Sequence, residues 1–176
     1  MILFSEIEFS ESFEKAFDLL ENSSQSVFIT GRAGTGKSTF LKYLKERSKK
    51  KLVILAPTGV AALNVGGQTI HSFFRFPPGL SVKDAAKEAR NRKKTGIFHK
   101  LDLLVIDEIS MVRADLLDCI DVFLKTVLKS QNPFGGKQML FIGDMCQLPP
   151  VVNNAEQPFF RSNYKSEYLF DSTAMK

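Results

Sequence analysis

The octapeptide Gly31-Arg32-Ala33-Gly34-Thr35-Gly36-Lys37-Ser38 has the spacing G-x-x-x-x-G-K-[ST]. Glycines at these places let the backbone turn tightly, so that successive N–H groups point inward at an anion. A helix that starts at the lysine adds its positive N-terminal end. The implied ligand is a nucleotide, ATP, with Mg²⁺. Gly31, Ala33, Gly34, Thr35, Gly36, Lys37, Ser38 and Thr39 are the candidates to hold it. Lys37 would reach the β- and γ-phosphates, and Ser38 would place its hydroxyl on the metal.

Two further groups can join that chemistry. Leu103-Leu104-Val105-Ile106-Asp107-Glu108 is an apolar run ending in two carboxylates. Asp107 suits Mg²⁺, which takes oxygen ligands and keeps several waters, and Glu108 can orient and polarise an attacking water. Gly143-Asp144-Met145-Cys146-Gln147-Leu148-Pro149-Pro150 follows another apolar run. Gln147 there can hydrogen-bond a γ-phosphate or its attacking water. It is equally a polar turn residue before a proline stop, and position alone does not decide.

These groups need a scaffold that gathers them. Phe13, Ala16, Phe17 and Leu20 recur at helical spacing over residues 11–22. Apolar runs at 26–30, 52–56, 101–106 and 138–143 read as buried strands, and helices are expected at 38–47, about 59–65, 82–94 and 113–129. Ser81 and Asp84 resemble a capping box at the start of the third of these helices. Apolar strands alternating with helices predict an α/β fold, a mostly parallel sheet covered on both faces. Carboxyl ends of strands line the ligand crevice in such sheets, so Asp107, Glu108 and Gln147 should face the glycine-rich loop. Residues 151–176 give the weakest pattern.

The chain of 176 residues suits one domain with one core. It has no apolar run near the ~20 residues that span a bilayer, and the first residues carry acids where a signal peptide has bases. An intracellular protein without membrane contact is expected. Cys119 and Cys146 lack metal-ligand spacing and read as free thiols. The net charge is +5, but residues 75–100 hold eight basic side chains against Asp84 and Glu88. A local excess of six on a nearly neutral body fits a polyanion partner, or a solvated helix face.

The segments FITGRAGTGKSTFL, APTGVAALNVGGQTIHSFF, LDLLVIDEISMV and FIGDMCQLPPV together resemble the consecutive first-domain motifs of superfamily 1B helicases. The resemblance covers residues 27–151 and points to the petite-integration-frequency branch, related to RecD and Dda. It implies a P-loop, RecA-like three-layer fold and an ATP-driven motor moving 5′ to 3′ on single-stranded DNA. It assigns Lys37 and Ser38 to nucleotide and Mg²⁺, Asp107 and Glu108 to Mg²⁺ and water, and Gln147 to γ-phosphate sensing. It makes Thr58, Thr69 and His71 contacts to the DNA strand. The phenylalanines after His71 can line up bases or fill the core. Residues 151–170 would form a small wedge or pin. The second RecA-like motor domain of such helicases, with its arginine fingers, has no counterpart here, so these residues alone are expected to bind nucleotide and hydrolyse it poorly. The family's adenine-reading glutamine has no equivalent near Ser12-Phe13-Glu14, and Met145 and Cys146 stand where the family has aromatics. Another P-loop ATPase or phosphotransferase, or a non-catalytic nucleotide- or DNA-binding module, are the competing readings.

Overall fold

A computed structural model describes residues 10–93 and 95–176. Five parallel strands form one sheet in the order β1-β5-β4-β2-β3: β1 Val27–Thr30, β2 Leu52–Ala56, β3 Gln68–Thr69, β4 Leu103–Ile106 and β5 Gln138–Gly143. The α/β, mostly parallel expectation therefore holds, and every pairing among the described strands is parallel.

The strands sort their side chains by parity. Leu103, Val105, Leu140 and Ile142 belong to one core with Ala16 and Leu20 of α1 (Glu11–Asn22) and Phe40, Leu41 and Leu44 of α2 (Lys37–Arg47). Leu104, Ile106, Met139 and Phe141 face the other way, into a second core built on α7 (Ala114–Leu128). Alternate residues of a strand point to opposite faces, so a run apolar at every position requires cover on both. The second core centres on Phe74, Phe98 and Phe123, with centroids 5.1–5.7 Å apart. Phe73, Phe74 and Phe76 lie in it, which settles them as packing residues rather than a base platform.

Between the main elements lie α3 (Gly59–Asn64), α4 (Ile70–Phe74), α5 (Val82–Asn91) and α6 (Gly96–Lys100). The expected helix over 82–94 is shorter than its charge run. Ser81 Oγ accepts the Asp84 N–H at 3.2 Å, as the capping pattern implies, but the helix ends at Asn91. Arg92 leaves the helix extended because its guanidinium is used elsewhere. It donates to the Phe74 carbonyl and lies 5.2 Å from the Phe123 ring centroid. Lys94 is outside the described residues.

Residues 151–176 contain α8 (Gln157–Asn163) and dock on α7. The Tyr164 hydroxyl donates to Asp118 at 2.9 Å, the Ala174 N–H reaches the same carboxylate at 2.9 Å, and the Ala114 N–H donates to the Glu167 carbonyl at 2.9 Å. No described helix is long and apolar enough to cross a membrane.

Candidate nucleotide site

Because β1, β2, β4 and β5 run in one direction, their carboxyl ends open on one edge of the sheet, where every candidate group from the motifs is delivered. The loop after β1 turns through Gly34 (φ 81°) and Gly36 (φ 87°), the left-handed region that favours glycine. Gly36 caps α2, and a Cβ there would stand 3.2 Å from the Phe13 ring. The Gly31 N–H donates to the Gly143 carbonyl at 3.3 Å, and both the N–H and the hydroxyl of Thr35 donate to the Arg32 carbonyl. The Lys37 ammonium sits inside the loop, donating to the carbonyls of Gly31 at 2.6 Å and Arg32 at 2.9 Å. The first turn of α2 carries no acidic side chain and no side-chain cap, which leaves its positive end for an anion.

Asp107 follows β4 and is 7% exposed. Burial pushes its carboxyl above the usual range. The neighbouring Glu108 charge adds to that, and a backbone hydrogen bond from Glu108 and the Lys37 charge oppose it. Glu108 takes a left-handed backbone (φ 50°, ψ 43°), a conformation costing about 1–2 kcal/mol for a residue with a Cβ. Such strain clusters where a side chain must be aimed.

Asp144 follows β5 and is 5% exposed. Its Oδ1 accepts the Cys146 N–H at 3.0 Å, and its carbonyl accepts the Gln147 N–H at 3.0 Å. This Asx-type turn fixes the loop that carries Gln147. Its anchoring role was not drawn from the sequence, although an Asp two residues before the N–H it holds is the signal that would have found it.

The three segments meet. Ser38, Asp107, Glu108 and Gln147 line one cleft of about 260 Å³. Thr58 lines it as well, at the N-cap of α3, where its Oγ1 accepts the Ala61 N–H at 3.2 Å. The structure thus groups Thr58 with the nucleotide candidates and apart from Thr69 and His71. A second cavity of about 610 Å³, chiefly apolar among its described lining, runs from Phe13 and Phe28 to Thr35 and Lys37 on the other flank of the loop.

Thr69 caps α4, accepting the Ser72 N–H at 3.1 Å. His71 faces a small cavity of about 100 Å³ shared with Leu80, Arg113 and Glu156. Arg113 was not singled out for this site. It pairs with Asp115 and Glu156 at 2.7 Å each, and its guanidinium lies 4.9 Å from the Phe160 ring centroid. It thereby ties the turn after Glu108 to α8, a partnership across 43 positions that no local pattern announces. Cys119 is buried, its thiol pushed up to about 12 chiefly by burial, and Cys146 is exposed.

The PIF1-like helicase family profile matches residues 8–175. The ATP-dependent DNA helicase PIF1 of Saccharomyces cerevisiae (strain YJM789) is 39% identical over 176 residues, which is 95% of this chain and 19% of that protein. Among solved structures, Bacteroides sp. Pif1 in complex with ADP-AlF4 superposes with a TM-score of 0.85 at 41% identity, over 96% of this chain and 39% of that one. Bacteroides Pif1 bound to ssDNA gives 0.83 at 40% identity, over 96% and 39%. The chain spans about a fifth of the length of the yeast relative and about two fifths of the solved structures it matches.

Proposed function

This chain belongs to the PIF1-like helicase family, and on that premise we propose that it is the first, nucleotide-gripping motor domain of an ATP-dependent DNA helicase moving 5′ to 3′ on single-stranded DNA. The observation that carries the reading is the single cleft in which Ser38, Thr58, Asp107, Glu108 and Gln147 converge from four separate segments beside the glycine-rich loop. In this reading the loop N–H groups and Lys37 hold the triphosphate of ATP. Ser38 offers a hydroxyl and Asp107 a carboxylate in the same cleft, a donor set that fits Mg²⁺ with most of its ligands left to water and phosphate. Mg²⁺ bound there would neutralise charge on the β- and γ-phosphate oxygens.

Glu108 orients and polarises the water that attacks the γ-phosphate. Gln147, on a loop anchored by buried Asp144, senses whether that phosphate is present. Thr58 connects the two ligands, since it lines the nucleotide cleft while the family resemblance makes it a contact to the DNA strand. Thr69 and His71 contact the strand beyond it. The partners are single-stranded DNA and a second RecA-like domain, whose arginine fingers complete the site.

Titration of the chain with a fluorescent ATP analogue tests the cradle. Lys37→Ala removes a charge-assisted contact worth about 1.5–3 kcal/mol, so affinity should fall roughly 10- to 100-fold. Its two partners are loop carbonyls that water can reach, so the fold should survive. Unchanged affinity in a folded variant would sink the reading.

A further inference from the structure

On the face of the second core, away from the nucleotide cleft, α4, α5 and α6 enclose an open cavity of about 670 Å³. That size lies within the roughly 300–1,000 Å³ of ligand sites. Its charge is lopsided. Arg75, Arg92 and Lys93 line it against one carboxylate, Glu88, and among the described residues none of the three cations is in an ion pair. Arg92 is held in place by the Phe74 carbonyl and the Phe123 ring, so its charge is fixed at the wall. Burial first, and then the nearby Arg75 charge, pull that guanidinium below its ordinary pKa, opposed by Glu88.

Arg75 supplies an independent observation. It ends α4 with φ 54° and ψ 43°, and its N–H caps the carbonyls of His71 and Ser72. Glycine is the residue this left-handed cap favours. An arginine there accepts an unfavourable backbone while its exposed side chain lines the cavity, a pattern of strain kept for a functional side chain. Gln68 and Ser72 add neutral hydrogen-bonding groups to the same wall. They flank Thr69 and His71 in sequence, yet His71 opens into the separate cavity beside Arg113.

We propose that this cavity is a binding site for the phosphodiester backbone of a nucleic-acid strand, in which Arg75 and Lys93 neutralise phosphates and Gln68 and Ser72 fix the strand's register. The assignment rests on the DNA-motor reading above and adds to it a contact in a cavity separate from the one that His71 lines. Phosphate contacts of this kind position a strand without reading its sequence.

The test is the salt dependence of binding to a fluorescent single-stranded oligonucleotide, measured by anisotropy on the parent chain, Arg75→Gly and the double variant R75G/K93Q. Each neutralised phosphate of a single strand contributes about 0.7 to the slope of log affinity against log salt. The slope should fall by about 0.7 for the single variant and about 1.4 for the double. Arg75→Gly places the favoured residue in the left-handed cap, so it should melt no lower than the parent, which separates lost binding from lost folding. Fluorescent-nucleotide affinity should stay at the parent value in both. An unaltered slope in variants of a parent that binds DNA overturns the cavity assignment alone, whereas a parent that binds no oligonucleotide overturns the DNA reading and the cavity with it. Tripolyphosphate binding lost in the variants while the slope is kept would give the site to a free anion. A polyglutamate peptide displaced by the same substitutions, with the slope again kept, would give it to an acidic protein surface.

Discussion

Asp107 carries the conflict between folding and chemistry most plainly. Its carboxyl is buried and held above the usual carboxylate range, which means the folded chain pays to ionise it. A raised carboxylate pKa penalises the fold above that pKa and ceases to do so as pH falls through it. Asp107→Asn should therefore melt higher than the parent at neutral pH without nucleotide. The gap should close in acid, as the parent's carboxyl takes up its proton. Thermal melts between pH 4 and pH 8 check this, and a gap that widens on acidification would contradict it. In the proposed role the same substitution removes a metal ligand, so Mg²⁺-dependent nucleotide affinity should fall while stability rises, the trade commonly found at active sites.

At the scale of elements, the crossing of β5 with the turn after β4 constrains the site through backbone atoms. A Cβ on Gly143 would stand 3.0 Å from Ile109 Cγ2 and 3.1 Å from the Ile109 nitrogen, with the Ser110 nitrogen at 3.3 Å. Two of those three atoms are backbone and cannot swing aside. Gly143→Ala should cost about 1–3 kcal/mol by overpacking, read as a lower urea midpoint. It should also disturb the glycine-rich loop, because the Gly143 carbonyl receives the Gly31 N–H. The long elements were legible in the sequence because each carries a period. β1, β2, β4 and β5 are unbroken apolar runs, and α1, α2 and α7 repeat apolar residues at helical spacing. β3 has two residues and α6 five, too few for any period to appear. The end of α5 was misplaced because a charge run looks the same whether a guanidinium is solvated or turned inward, as Arg92 is. The cleft itself was legible in outline: Ser38, Asp107, Glu108 and Gln147 were expected at one sheet edge and do line one space. The neighbourhood of Thr58 was not foreseen, since a helix N-cap can face either ligand. Arg113 was invisible because its partner Glu156 lies beyond β5.

For the whole molecule, the nucleotide candidates all come from the carboxyl edge of one sheet. Phosphoryl transfer relies on charges that surround the γ-phosphate, and an arginine finger supplies about 10³–10⁵ of the rate. Of the four arginines outside the basic segment, Arg32 is in the loop, Arg47 ends α2, Arg161 lies in α8 and Arg113 is engaged by two carboxylates. The chain should bind nucleotide yet turn it over far more slowly than a longer chain carrying a second RecA-like domain, both saturated with single-stranded DNA. Steady-state ATPase rates compare them, and equal turnover would place all the catalytic groups within these residues. In the proposed role the site must also empty once per cycle, and the loop's own hydrogen bonds bear on that. The Lys37 ammonium donates to the carbonyls of Gly31 and Arg32. In that role these two carbonyls compete with phosphate for the same ammonium. Release in that role is an exchange of partners rather than the loss of one.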